Sequence, residues 1–588
     1  MSPSIATCAL SFLLSVAVLL FGITPCEGAN IGDEQYGNLE GQFWVWTQTG
    51  GLNIIDPATG SIRKTVPVVE YSTMSWGDAV FMKDQADLRK YAFIADSGNN
   101  LMWVYDTDTQ SLITKVRTGS KPVHVYSIPV LDEVWAHLDG DGSFDVFHMN
   151  QVRYRSSSAA AKDSAAIPGH GKLLVNPNLE RTAFSTDVMA GIVTKIDTLL
   201  RKKVATLTIS NSSMTSTTTF PWHFGMTCGG THGIAFSDVD DSLYVECTNP
   251  GKPTCPDTFN TTGCTGSLWR IDTNSFLGNT ENALQLGMKA AQPTRLRLSS
   301  PFLSNKLNIP DFGIQGQSYA TPEEQFILST NKNLNLLSII KPVAGGVPLI
   351  LEVEISYKPG AIVYWPKDSS ITFGVDPNPG NYWAIVALES SDENAGLAFL
   401  DMDLVVKAFE AGLVMLDKSV IEYVKLGPGR LYRPLKRGND YVATPIYDTT
   451  AKGYTKLAIV NARTRSVTTI SLSKTSKIIW VPTFQASWSS TMASFSKALL
   501  DQNDKVNQAI AVGGVALAFT LGGFCAITAL ILYKRASATK DFPSIHARGI
   551  EPGSSHSSHA RSLALSSVPE RLSIHGRQGF KSLSDGDV

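Results

Sequence analysis

The 588-residue sequence has no dense run of lysine or arginine, and its 50 basic side chains nearly balance 52 acidic ones. That balance lacks the electrostatic footprint of nucleic-acid binding, so no nucleic-acid partner is expected. The common catalytic signatures are missing too: there is no G-x-S-x-G elbow, no Walker loop, no H-E-x-x-H and no complete Rossmann fingerprint. Gly140–Asp145 (GDGSFD) falls short of a calcium loop, lacking the D-x-D-x-D-G order and the closing Glu, and reads as a β-turn. Cysteine is scarce, at 7 residues. Two apolar runs set the topology.

The first run, Ala9–Gly22, is too short to span a bilayer comfortably and well sized for a signal-peptide core, although no Lys or Arg precedes it. Small residues at Cys26 and Gly28 suit cleavage after Gly28, giving a signal at 1–28 and a polar lead-in at 29–42. The second run, Ala509–Leu532, holds 24 uncharged residues and is followed by Lys534–Arg535. At about 1.5 Å per residue it crosses a hydrocarbon core of roughly 30 Å, and the basic stop puts the tail in the cytosol. The sequence thus predicts a single-pass type I protein of the plasma membrane, extracellular at its N-terminal side and open to shedding into the matrix. Residues 485–508 read as a juxtamembrane stalk and 533–588 as a disordered cytoplasmic tail. Ala518-x3-Gly522 permits close helix packing, and hence a helix-mediated dimer. In the tail, the sequences around Ser573 and Ser584 resemble phosphorylation sites.

Cysteine usage agrees with export. Cys8 and Cys26 leave with the signal and Cys525 lies in the membrane run, so four remain: Cys228, Cys247, Cys255 and Cys264. An even, clustered set in an exported region reads as two disulfides, and C-x7-C-x8-C has no zinc-site spacing. Cys228 precedes one strand pattern and Cys247 ends the next, so the pairs Cys228–Cys247 and Cys255–Cys264 are expected. Asn211 and Asn260 open N-glycosylation sequons in loop-like contexts.

What the chain has in quantity is repetition. Lys90–Val125 reads as strand (Tyr91–Ala95), polar turn, strand (Leu101–Tyr105), turn, strand (Leu112–Val116) and a Gly-Ser-Lys-Pro corner, and variants recur along most of the sequence. The turn after the third strand carries Asp56, Asp106, Asp197, Asp272, Asp401 and Asn461. Asp and Asn suit such places because their side chains cap backbone N–H groups, which is a structural role. A two-domain β-sandwich would need Greek-key alternation without these recurring turns.

A lone meander cannot bury its faces, but the same unit repeated radially can. The sequence predicts an all-β fold, a seven- or eight-bladed β-propeller over 43–484, with eight units by count if the first is included. That first unit, Phe43–Val68, lacks its leading strand, which Lys477–Phe484 supplies from the far end. The units resemble the YVTN-type propeller repeats of bacterial surface-layer and lactonase-like proteins, in their ViDt-like third strands and P-x-G/H-like openings. Members of that superfamily bind metals, carbohydrates or proteins, so the resemblance implies a fold and no single function.

One constellation carries possible chemistry. His124, His170 and His232 occupy equivalent places at the start of the first strand in three consecutive units. The innermost strand of each blade lines the central channel, so three imidazoles there would face one space and suit a transition metal. Nitrous-oxide reductases, with a similar propeller, hold copper through channel-mouth histidines, but with more of them. In the other five units the corresponding place reads as apolar, Gly or Trp, as at Trp76. His223 would add a ligand from an insert, whereas His137 and His148 read as packing residues.

Two functions are compatible with these features. The favoured one is a cell-surface glycoprotein whose extracellular propeller binds a protein, matrix or glycan ligand. The alternative is an extracellular metal-dependent enzyme, lactonase-like or oxidoreductase-like, with a His-lined channel mouth. Trp44, Trp46, Trp76 and Trp103 are offered for ligand contact or, more simply, for packing between blades.

Overall fold

Apolar residues stand at successive positions in most strands, so each strand must bury both faces. In Gly41–Thr47, Phe43 and Val45 point one way while Trp44 and Trp46 point the other, and all four are buried. The computed structural model shows how this is met. It describes residues 39–483 apart from several segments, the longest being 150–170, 210–227, 251–266, 277–293 and 297–317. The chain divides into two compact units, Met1–Ser489 and Ser490–Val588, and every described residue belongs to the first.

The strands form eight sheets, antiparallel throughout but for one added strand, which are blades 1 to 8 of a β-propeller. Their innermost strands are, in order, Thr475–Pro482, Trp76–Lys83, Pro122–Ile128, Leu173–Val175, Cys228–Ser237, Ser318–Ala320, Lys358–Pro366, and in blade 8 the broken strand Arg430–Leu431 with Lys436–Gly438. Eight separate hydrophobic clusters fill the eight seams between neighbouring blades. The seam of blades 8 and 1 joins Ala443, Leu457 and Ile459 to Phe43, Val45 and Trp480, which closes the ring. As expected, the C-terminal strand supplies what the first unit lacks: Phe43 faces Trp480 and Trp44 faces Ile479. Closure removes free sheet edges at the chain ends.

The tryptophans settle into packing. Trp44, Trp46, Trp76 and Trp103 are all buried in the seam of blades 1 and 2, and Trp76 Nε1 donates to the Thr47 carbonyl at 3.1 Å. The recurring turn residues do what turn chemistry requires. Asp56 Oδ1 accepts from the N–H groups of Ala58 and Thr59, Asp106 from Thr109, Asp197 from Leu200, and Asn461 from Arg463 and Thr464. Gly140–Asp145 forms a turn and the start of a strand, with Gly142 in the left-handed region at φ 60°.

Two units depart from the expected pattern. Blade 6 has a short inner strand, Ser318–Ala320, and carries a fifth strand on its outer edge. In blade 7 the outer strand, Ile421–Gly427, follows the third strand, Ala395–Asp401, only after an insertion. Between Asp401 and that strand lies Met402–Glu410, the one α-helix among the described residues and the exception to an all-β fold. Asp401 starts it by accepting from the Asp403 N–H at 2.8 Å. Gly412, at φ 68°, ends it: Leu413 N–H bonds Ala408 O and Gly412 N–H bonds Phe409 O. The helix lays Met402, Val405, Ala408 and Phe409 against blades 6 and 7, and the chain beyond it adds Met415–Leu416 in parallel to blade 6's outer strand, Leu349–Glu354.

Among the described residues no helix is long and apolar enough to cross a membrane, and Ala509–Leu532 lies outside them. The signal, the stalk, the tail with Ser573 and Ser584, and the sequons at Asn211 and Asn260 also lie outside.

Candidate functional site

The leading ends of the inner strands share a local irregularity. Pairing slips between Trp76 and Ala79 in blade 2, between Pro122 and His124 in blade 3, between Thr231 and Ile234 in blade 5 and between Pro359 and Ile362 in blade 7. In blade 1 the slip falls where Thr47 meets Thr475 and Trp46 meets Lys477. Such bulges re-aim the side chains they carry and recur beside functional sites. Gly77 makes room for the one in blade 2, since a Cβ there would stand 2.6 Å from Val123 O.

The bulges of blades 1 to 3, with the lead-in to the inner strand of blade 4, bring four polar residues from four consecutive blades into one arc. Lys477 Nζ of blade 1 lies 2.8 Å from Asp78 Oδ1 of blade 2. Asp78 Oδ2 lies 2.6 Å from Nδ1 of His124 in blade 3. Lys172, which leads into the inner strand of blade 4, sets its Nζ 3.3 Å from the same Nδ1. One ring nitrogen cannot both donate and accept a hydrogen bond. The shorter contact to a carboxylate assigns Nδ1–H to Asp78, leaving Lys172 as a nearby cation.

Asp78 keeps a side-chain exposure of 33% and Lys477 28%, although protein surrounds the carboxylate. Both observations fit a group on the wall of an axial channel, enclosed in depth yet reachable along the axis. Burial pushes the Asp78 carboxyl up, but Lys477, then His124 and Lys172 outweigh it and hold the group well below the usual carboxylate range. Beside the arc, Tyr126 OH accepts from the Leu173 N–H at 3.0 Å, and burial raises the phenol's pKa above its ordinary value.

Of the three histidines singled out by sequence, His124 is on the arc. His232 lies in the inner strand of blade 5, where its carbonyl accepts from Thr186 Oγ1 at 2.8 Å. His170 and His223 lie outside the described residues. Among the described residues no three His, Cys, Asp or Glu side chains gather as a metal site. The reading of the other five units needs correcting: the counterpart of His124 in blade 2 is Asp78, not Trp76, and in blade 1 it is Lys477. The signal was present, because Trp76-Gly77-Asp78, Pro122-Val123-His124 and Thr475-Ser476-Lys477 each put the polar residue third in its strand.

His137 is fully buried and stacks on Phe144 at 4.7 Å, a packing role as expected. His148 contributes to a polar clasp between blades 3 and 4. Glu133 Oε1 meets Arg201 at 2.5 Å and His148 Nδ1 at 3.2 Å, while Glu133 Oε2 accepts from Trp135 Nε1 at 2.8 Å.

Cys247 is buried and disulfide-bonded. It stands opposite Thr231, whereas Cys228 stands opposite Pro250, an offset of three positions. The pairings Cys228–Cys247 and Cys255–Cys264 stay expectations of the sequence. Cys255 and Cys264 lie outside the described residues.

No family model matches the chain, and no curated protein matches it. Solved structures with a similar arrangement include apo AztD from Citrobacter koseri, at 15% identity and TM-score 0.43, covering 75% of this chain and 97% of that one. The dihydro-heme d1 dehydrogenase NirN, solved with DHE, scores 0.43 at 11% identity, covering 74% of each chain. A Bacteroides fragilis protein assigned provisionally as a 6-phosphogluconolactonase scores 0.35 at 11% identity, covering 76% of this chain and 98% of that one. The eight-bladed assignment rests on the strand pairing itself.

Proposed function

We propose that this chain is an exported, membrane-anchored glycoprotein whose propeller is a binding module, presenting the Lys477–Asp78–His124–Lys172 arc to an extracellular protein, matrix or glycan ligand. The observation that carries the reading is the arc. Polar groups from three successive inner strands and the lead-in to a fourth stand together, with Asp78 paired to Lys477 and His124, and Asp78 and Lys477 remain partly exposed. Preorganised polar groups at a concave, water-accessible mouth are what a recognition site needs. The export and anchor rest on Ala9–Gly22 and Ala509–Leu532, and the sugar on Asn211 and Asn260.

The test has two parts. Live cells expressing the full chain should stain for a tag after Gly28 without permeabilisation, and for a C-terminal tag only after it. A glycan and matrix-protein array probed with the full chain in detergent micelles should give hits that weaken in a Lys172→Ala/Lys477→Ala variant. Hits untouched by that variant would remove the arc from the site.

A second reading, a metal-dependent enzyme of lactonase-like or oxidoreductase-like chemistry, is favoured by one contact. Asp78 holds His124 through Nδ1, as carboxylates behind a metal centre hold metal-bound imidazoles. His124, His170 and His232 would be the ligands. Elemental analysis of the purified full chain decides it: stoichiometric copper, zinc or iron lost in His124→Ala/His232→Ala supports the enzyme.

A further inference from the structure

The exposed large apolar side chains of the propeller are not spread evenly over it. Strands alternate in direction within a blade, so the first and third turns lie at one end of the channel and the remaining connections at the other. Contacts between blades keep the two ends in step. Lys477, Asp78 and His124 meet near the leading ends of their inner strands. At the trailing end Arg201 reaches Glu133, Ser237 Oγ reaches the Glu324 carbonyl and Arg465 reaches Glu422. Ile62, Leu112, Val204 and Val467 stand on outer strands, where a wet face is ordinary. Among the described residues, the other exposed large apolar side chains all belong to the trailing end.

The most exposed of them are Val347 in the third turn of blade 6 (82%), Val414 in the insertion of blade 7 (60%), and Leu200 and Leu199 in the third turn of blade 4 (59% and 55%). Leu413 and Val414 run into the strand that pairs with Leu349–Glu354, so they flank the strand that Leu349 opens. The fold does not require such tips. The matching turns of blades 1, 2 and 8 read Pro57-Ala58-Thr59-Gly60, Thr107-Asp108-Thr109-Gln110 and Ala462-Arg463-Thr464-Arg465. One contiguous apolar patch would suit a protein partner, whereas tips on separate blades at one end suit a flat, deformable apolar surface. Beside Leu199 and Leu200 come Arg201 and the exposed Lys202 and Lys203, placed to lie level with phosphates while the leucines go deeper. Asp197, opposite Lys202 in register, accepts from Arg181 at 3.2 Å. The acids Asp238, Asp240 and Glu324 lie in the first turns of blades 5 and 6, nearer the axis, so a zwitterionic lipid fits better than an anionic one. The closing strand Thr475–Pro482 also finishes at this end, and the run Ala509–Leu532 follows it after the segment 483–508.

Resting on the membrane-anchored reading, we propose that the trailing end of the propeller is a membrane-docking surface. Leu199, Leu200, Val347, Leu413 and Val414 enter the edge of a zwitterionic bilayer, to about the depth of the boundary between headgroups and acyl chains. Docked in this way, the propeller holds the Lys477–Asp78–His124–Lys172 arc, at its leading end, away from the lipid and open to a ligand.

The experiment places an environment-sensitive fluorescent amino acid in the full chain at position 347, at position 200 or, at the leading end, at position 356. Each chain is reconstituted in phosphatidylcholine vesicles, part of whose lipid carries a doxyl quencher high on the acyl chain. Quenching at 347 and 200 should exceed that at 356 several-fold, and Leu413→Asp/Val414→Asp should lower it at 347. Equal quenching at the three positions, or none, overturns the proposal. Emission at 347 that shifts with the protein-to-lipid ratio but ignores the quencher assigns the tips to a second copy and overturns it as well. Flotation in alkaline carbonate reads the anchor separately. A chain that floats with its tips unquenched keeps the anchor and loses the docking. A chain stripped by carbonate yet quenched at neutral pH loses the anchor and keeps the docking.

Discussion

Gly438 of blade 8 lies directly against the indole of Trp480 in blade 1. A Cβ added at Gly438 would stand 2.0 Å from Trp480 Cε3, inside any permitted contact. Trp480 cannot yield, because it is 1% exposed and packs edge-on against Phe43 at 4.9 Å. The contact lies where blade 8 meets blade 1, so overpacking there acts on ring closure. Gly438→Ala is expected to cost about 1–3 kcal/mol, read as a lower urea midpoint at unchanged slope. A stability equal to the parent's would mean that the closing strand seats differently.

Arg465 ties blades 7 and 8 together. Its guanidinium carbon sits 3.9 Å from the Phe399 ring centroid and 4.9 Å from that of Trp383, and Nη2 reaches Glu422 Oε2 at 2.9 Å. A planar guanidinium stacks and pairs at once, which an ammonium cannot. Arg465→Lys should lose about 0.5–1 kcal/mol and Arg465→Ala about 1–2 kcal/mol. Equal losses for the two would show that the planar stack contributes nothing.

Much of this architecture is legible in the bare sequence, and the reason is locality. Asp56, Asp106, Asp197 and Asn461 act on N–H groups two or three residues away, so their spacing reports the blades directly. The missing first strand of blade 1 is legible because Lys477–Phe484 has strand character and no other unit to join. The helix Met402–Glu410 is not. Asp401 looks like every other turn aspartate, and only the helical turn begun by Met402 and Asp403 makes it a cap.

The site is half legible for a related reason. His124 stands out as a rare residue type, but Asp78 and Lys477 are common charged residues that become partners only through the bulges. A bulge is a slip between two strands, and one strand's sequence does not announce it. Counting from the start of each inner strand would have aligned the three.

Glu352 gives a pH prediction. It lies on the outer strand of blade 6, where side chains are usually wet, yet it is 1% exposed. The added strand Met415–Leu416 runs beside it, and the Glu352 N–H bonds Val414 O at 3.0 Å. Burial pushes its carboxyl up to about 8, partly offset by the hydrogen bond from Ser338 Oγ at 2.8 Å. A carboxyl raised in the folded state gives stability that is full below its unfolded value near 4.5 and lost as pH rises through about 8. Glu352→Gln keeps the shape and an acceptor for Ser338 but cannot ionise. The variant should match the parent at pH 4 and exceed it at pH 8.5 by on the order of 2 kcal/mol. Denaturant melts across that range check it, and a variant weaker than the parent at every pH would refute the account.

Asp78 has the opposite sign. Its folded pKa lies well below the ordinary 3.8, so the stability it contributes is present above that value and is lost as pH falls through the folded pKa. The carboxylate is a third exposed, so solvent screening limits the contribution to about 1 kcal/mol. Asp78→Asn should therefore lower stability at pH 7 and lose less than the parent between pH 4 and 2, so that the two curves converge in acid. The same substitution releases Lys477 from its ion pair and leaves a single amide oxygen as acceptor for the His124 Nδ1–H. Lys477→Met, which leaves the Asp78–His124 contact in place, should weaken acid sensitivity without abolishing it. Parallel curves for the parent and Asp78→Asn down to pH 2 would mean that the carboxylate is solvated like a surface group and that the arc is not a fixed array.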